Sequence, residues 1–212
     1  MCSGRVDLEF ILRAFANGQD GVFIGGCKLD ECNYVTHGNY DALANTYLSK
    51  KILEHIGLNP KRLQIKFMSG ADGNLLADYS DAFTKEINEI GPLGKSEGMD
   101  ADVVKFKLKA ARKLVPYLRL LEREKLRVPV KSKDAYAEFF ESKEVNLLFD
   151  EIFSEKLAIS QIMMLLGEKP LPTSDIAKKL GLNPSDVSRH MITSSRHGMI
   201  NYDTASNCYA LA

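Results

Sequence analysis

The chain has 212 residues, enough for one large domain or two small ones. Lysine plus arginine equals aspartate plus glutamate at 28 each, so no global field draws it toward nucleic acid or an anionic membrane. No apolar run nears the roughly 20 residues that span a bilayer, and the first residues lack the basic and apolar regions of a secretory signal, so a cytoplasmic protein with no membrane partner is expected.

In chain order, Leu8, Ile11, Leu12 and Phe15 repeat at helical spacing between Asp7, a cap residue, and the stop signal Asn17-Gly18. Gly21–Gly26 reads as a short buried strand. A long helix is expected over Asn39–Ile56, a half-buried strand over Leu63–Met68 and a third helix over Leu75–Ile90. Strands alternating with helices predict an α/β layer on a small, mainly parallel sheet with flanking helices. With only two clear strands the sheet reads as incomplete, as if another strand should be finishing where Met1 stands.

Residues 91–100, rich in glycine and polar groups, read as a linker. A basic helical segment follows over Ala101–Arg127, with Pro116 able to kink it, and then a helix through Tyr136–Phe140. Helices over Ala158–Leu166, Thr173–Leu180 and Pro184–His197, a tight turn at Gly181–Asn183 and two β-like pieces within Asn201–Ala210 follow the order of a winged helix-turn-helix. The expected division is an α/β domain at 1–92, a linker and helical region at 93–155, and a winged-helix-like domain at 156–212.

Four cysteines in such a chain point to metal-binding or reactive thiols before a disulfide framework. Cys2 precedes the first helix and Cys27 ends the first strand, positions that share the carboxyl edge where open α/β sheets place their sites. Cys32 follows on the same Gly-rich stretch, and thiolates on such turns hold zinc or iron–sulfur clusters. Buried free thiols at a strand end are the plainer alternative. Cys208, in the wing, reads as a packed β residue.

The opening Met-Cys-Ser-Gly-Arg is followed by Val-Asp-x-Glu-Phe-Ile-Leu-x-Ala-Phe, then Gly-x-x-Gly-Val-Phe-Ile-Gly-Gly-Cys and Glu-Cys-x-Tyr. Together these strings resemble the methyl-viologen-reducing hydrogenase delta subunit family over about residues 1–92. The resemblance implies a small iron–sulfur protein with a [2Fe–2S] cluster and no substrate chemistry of its own. The matching positions are Cys2, Cys27 and Cys32 as ligands, framed by Gly4 and Tyr34, with Arg5 and the amides of Gly25 and Gly26 tuning the cluster. The implied partners are a hydrogenase or other dehydrogenase and a heterodisulfide reductase-like flavin subunit. The chain departs from the pattern at Lys28-Leu29-Asp30, where the family often has histidine, proline and glycine. The family carries an upstream strand with further cysteines before this string, so either a start assigned too far downstream or a shortened paralogue is expected. If the shortening is real, three thiols fall short of the four that an all-cysteine cluster takes, and Cys208, His37 or a partner chain would supply the fourth donor.

A second reading rests on the winged helix: Arg189, His190, Ser194, Ser195 and Arg196 would contact DNA, making the chain a redox- or metal-responsive regulator. The local basic content is modest, so docking or a structural role is the first expectation for this segment. His190 and His197 read as solvated. Phosphate-loop and serine-nucleophile strings are absent, and Asp41, Asp72 and Asp78 form no carboxylate pair for acid–base work. The basic run from Lys105 to Arg127 reads as a solvated face or a surface for an acidic partner.

Overall fold

A computed structural model describes residues 2–34 and 37–212, which leaves out Met1 of the opening string. The chain forms two compact units, Met1–Asp150 and Glu151–Ala212.

The first unit is α/β. A single 3-10 turn, Ser3–Arg5, leads into α1 (Leu8–Ala16), whose start is capped by Asp7 Oδ1 accepting from Glu9 N at 2.8 Å. Leu8, Ile11, Leu12 and Phe15 are all buried, so the helical periodicity is the core face. β1 (Val22–Gly26) is followed by the long crossover helix α2 (Asn39–His55), a 3-10 turn at Pro60–Arg62 and β2 (Leu63–Phe67). β1 and β2 pair in parallel, in register from Val22↔Leu63 to Gly26↔Phe67. α3 (Gly73–Ile90) ends at Gly91, whose φ of 86° lies in the left-handed region that glycine takes without strain.

The stretch 91–100 is no free tether. Arg62 is fully buried and all its N–H groups are engaged. Nε and Nη2 donate to Glu97 (2.7 and 3.1 Å), Nη1 donates to the carbonyls of Asp20 and Gly91, and Nη2 also donates to Pro92 O. A guanidinium has five such donors, and a buried one left unpaired would cost several kcal/mol. The loop is therefore bound to the α/β layer by the charge it neutralises.

α4 (Ala101–Lys113) packs on α1, and α5 (Val115–Lys125) takes Pro116 into its first turn instead of being kinked by it. Part of the basic run is spent internally: Arg112 bonds Glu9, Arg119 lies 2.6 Å from Asp7, and Lys107 Nζ donates to Ile56 O. α6 (Lys133–Glu141) stacks Phe140 on Tyr47 of α2 with centroids 5.2 Å apart. α7 (Lys143–Leu166) is one continuous helix that begins well before the expected Ala158–Leu166.

In the second unit α8 (Thr173–Leu180) stops at Gly181, with φ 64°, and α9 (Pro184–Arg196) is capped by Asn183 Oδ1. β3 (Ile200–Asp203) and β4 (Cys208–Leu211) form an antiparallel hairpin, and Leu171 bridges to Tyr209. Ile176, Ala177, Val187, Met191 and Ile200 fill its interior. This is the winged helix-turn-helix order, complete with its wing. Among the described residues, no helix is long and apolar enough to cross a membrane.

Candidate functional site

Three turns meet at the carboxyl edge of the parallel pair. Cys2 caps the first 3-10 turn, with its Sγ accepting from Gly4 N at 3.4 Å. Cys27 directly follows β1, and Cys32 closes the turn after it. Cys2 Sγ and Cys32 Sγ are 3.8 Å apart, and the Cys27 thiol lies near enough for both to act on it electrostatically. All four cysteines of the chain are free thiols.

The backbone is shaped around these sulfurs. A Cβ on Gly38 would lie 2.5 Å from Cys32 Sγ and 2.4 Å from Tyr34 O, and one on Gly4 would lie 2.5 Å from Gly38 O. Only glycine lets the two turns close over the thiols. Asn39, fully buried at the start of α2, donates to the carbonyls of Cys27 (3.0 Å) and Lys28 (2.7 Å) and reaches Cys27 Sγ at 3.7 Å. It locks the β1-to-turn junction. The hydroxyl of Ser3 is buried with no hydrogen-bond partner among the described residues, and it would lie 3.1 Å from a Cβ on Gly26.

The thiols differ electrostatically. Backbone N–H groups of Tyr34 and Asn39 hold the Cys32 thiol below its ordinary value. Burial pushes the Cys27 thiol up, and the Cys32 and Cys2 sulfurs push it the same way. Cys32 is thus the first of these two to form a thiolate.

The departure at 28–30 has a structural counterpart. Asp30 sits in the left-handed region (φ 72°), the conformation glycine adopts most readily. Its carboxylate accepts from Tyr40 OH at 2.8 Å, and burial together with that partner pushes the Tyr40 hydroxyl to about 12. Lys28 pairs with Asp72 at 3.4 Å.

Of the other expected site residues, Arg5 is exposed at the end of its turn, Gly25 is exposed and Gly26 is buried against Phe67. His37 is exposed and lies 3.3 Å from Asp41. Cys208 belongs to the second unit, where its thiol reaches Ser206 O at 3.4 Å. Among the described residues, no three His, Cys, Asp or Glu side chains form a site for a single metal ion. Cys2 and Cys32 lie together with backbone amides aimed at their sulfurs, an arrangement that favours thiolates. Sequence reasoning missed Ser3, Gly38 and Asn39; the Gly-Asn pair opening α2 was its one available signal.

On the winged helix the expected DNA-contact set splits. Arg189, Ser195 and Arg196 are exposed, with Arg189 3.1 Å from Asp186. His190 and Ser194 are buried, at 6% and 0% exposure. They share the inward face of α9 with Val187 and Met191, because positions three and four apart stack on one side. His190 is therefore a core residue, not a solvated or DNA-facing one.

The family model for the methyl-viologen-reducing hydrogenase delta subunit matches residues 1–91, and that for bacterial regulatory proteins of the arsR family matches residues 160–191. The iron–sulfur component of the F420-non-reducing hydrogenase vhu from Methanopyrus kandleri is 38% identical over 92 residues, 43% of this chain and 69% of that protein. Its counterpart in the F420-non-reducing hydrogenase of Archaeoglobus profundus is 43% identical over 91 residues, 43% of this chain and 66% of that protein. One component of the ferredoxin/F420H2-dependent CoB-CoM heterodisulfide reductase of Methanosarcina acetivorans is 46% identical over 94 residues, 44% of this chain. The chain spans only 12% of that reductase component.

Proposed function

From the premise that this chain belongs to the methyl-viologen-reducing hydrogenase delta subunit family, we propose that it is an electron-transfer protein. It passes electrons from a hydrogenase or other dehydrogenase to a heterodisulfide reductase-like flavoprotein. The observation that carries this reading is the convergence of Cys2, Cys27 and Cys32 on glycine turns that admit no side chain between them.

In this reading the three thiolates hold a [2Fe–2S] cluster together with one further donor, for which His37 and a residue of a partner chain are the candidates. The cluster supplies one-electron storage when bound. The chain's own residues do the rest. Amides of Gly4, Tyr34 and Asn39 direct N–H dipoles at Cys2 and Cys32, which stabilises negative charge on the sulfurs. Asn39 fixes the Cys27 turn. The Ser3 hydroxyl offers a free proton donor beside the same pocket.

The test is electron delivery. Protein reconstituted anaerobically with iron and sulfide and then reduced is mixed with the oxidised flavoprotein of a heterodisulfide reductase, and flavin bleaching is followed by stopped flow. Bleaching that requires the reconstituted chain supports the reading. A flavin that stays oxidised beside a reduced, loaded chain refutes it.

The arsR-family match favours a second reading, in which the winged helix binds DNA through Arg189, Ser195 and Arg196. A gel shift on the chain's own upstream DNA tests it, and no shift at low salt, where phosphate contacts are strongest, removes it.

A further inference from the structure

The chain as a whole is charge-balanced, yet its charges are segregated in one cleft of the first unit. A cavity of about 630 Å³, within the size range of small-molecule sites, lies among α2, the outer edge of β2, α3 and α6. Its charged lining is Lys28, Lys50, Lys61, Lys66 and Lys133 against Glu141 alone. Lys28 is paired with Asp72. Among the described residues, Lys50, Lys61, Lys66 and Lys133 have no carboxylate within ion-pair distance.

These four ammonium groups repel one another around a concave space. Lys50 is half-buried, and burial lowers its amine from the ordinary value, with Lys66 adding to the effect and Glu86 and Glu141 opposing it. Glu86 is itself engaged by Gln64. Such an arrangement costs stability unless an occupant brings negative charge. One carboxylate would offset only one of the four. A chain of phosphates carries several charges and many acceptor oxygens, which suits lysines acting as separate point charges.

The remaining lining is apolar or aromatic. Tyr47 backs onto Phe140, Lys66 Nζ sits 5.2 Å over the Tyr79 ring, and Phe67 and Ile65 line the β2 side. The cleft runs along β2, from Lys61 ahead of its amino end to Phe67 at its carboxyl end, and there meets Lys28 just after β1, so one end reaches the edge where open α/β sheets bind ligands.

We infer that this cleft binds a phosphate-bearing organic anion, with its phosphates among Lys50, Lys61, Lys66 and Lys133 and its organic part against Tyr47 and Phe67. The inference uses none of the thiols and stands whether or not the chain carries electrons. Isothermal titration of the full chain with ADP and with inorganic pyrophosphate tests it. ADP is expected to saturate at one per chain with a Kd below about 1 mM, several-fold tighter than pyrophosphate. The double variant Lys50→Gln/Lys66→Gln is expected to weaken ADP at least ~10-fold. The control Lys105→Gln/Lys109→Gln, on the exposed face of α4, is expected to leave it unchanged. Three results each overturn the inference: no saturable binding, equal affinity for ADP and pyrophosphate, or equal weakening by both variant pairs.

Discussion

The two ends of the chain handle polar groups in opposite ways. At the thiol edge of the first unit the backbone is arranged around side chains: amides point at sulfurs, and glycines clear space for Cys32. In the second unit the helix that looks functional from its sequence turns two of its polar side chains, His190 and Ser194, into the interior. A reactive-looking residue gains chemistry from the groups that surround it, and a polar residue on a helix can simply be packed. Chemistry concentrates in the first unit, at the sheet's carboxyl edge.

That comparison can be strained most severely at Arg62. Arg62→Met leaves Glu97 buried without its partner and releases the 91–100 loop, so a loss of about 3–5 kcal/mol is expected in chemical denaturation. The loss should register in probes of the first unit. A loss below ~1 kcal/mol would mean that the loop is held by other contacts.

Gly38→Ala comes next. The added methyl would meet Cys32 Sγ and Tyr34 O, so iron loading after reconstitution is expected to fall to less than about half of wild type although every cysteine remains. Unchanged loading would show that the turns do not need to close. A smaller effect separates two thiols of the apo protein. Alkylation at neutral pH, read by mass spectrometry, should modify Cys32 several-fold faster than Cys27, because amides favour its thiolate while burial disfavours that of Cys27.

pH gives the mildest contrast between the units. Burial raises the Glu97 carboxyl, but hydrogen bonds from Arg62, Asn59 and Gly94 and the guanidinium charge outweigh it and leave it below the ordinary 4.5. The unfolded chain then binds the proton first, so the stabilisation is present above that value and is lost as pH falls further. His190 is lowered from 6.5 by burial first and then by Arg189, with Glu155 and Asp186 opposing. Its unfolded form also takes the proton first, so the second unit should weaken as pH drops below about 6.5. Circular dichroism melts between pH 7 and 4 should show the second unit softening first, and His190→Gln should flatten that early decline.

Much of the fold was legible because its signals are local. The apolar spacing of Leu8, Ile11, Leu12 and Phe15, the cap at Asp7 and the stop at Gly181 each act within a few residues, and all three appear as read. The shared edge of Cys2 and Cys27 followed from strand–helix alternation and parallel pairing. What escaped is non-local. Arg62 looks like a surface residue until Glu97 and three carbonyls gather round it from 29 to 42 residues away. Asn39 reads as a helix start, and only the fold shows it bonding the turn after Cys27. His190 and Ser194 were placed outward because basic and polar neighbours suggested a DNA face, while the spacing of Val187 and Met191 already marked them as inward.

Whether Cys2, Cys27 and Cys32 together hold an iron–sulfur cluster is decided by anaerobic reconstitution of the full chain and of the three single Cys→Ser variants, with iron and sulfide analysis and EPR of the reduced samples. Iron, sulfide and a reduced-cluster signal are expected in the wild type, with loss or marked change in each variant. A colourless, EPR-silent wild-type protein, or loading indifferent to all three cysteines, would contradict the cluster reading.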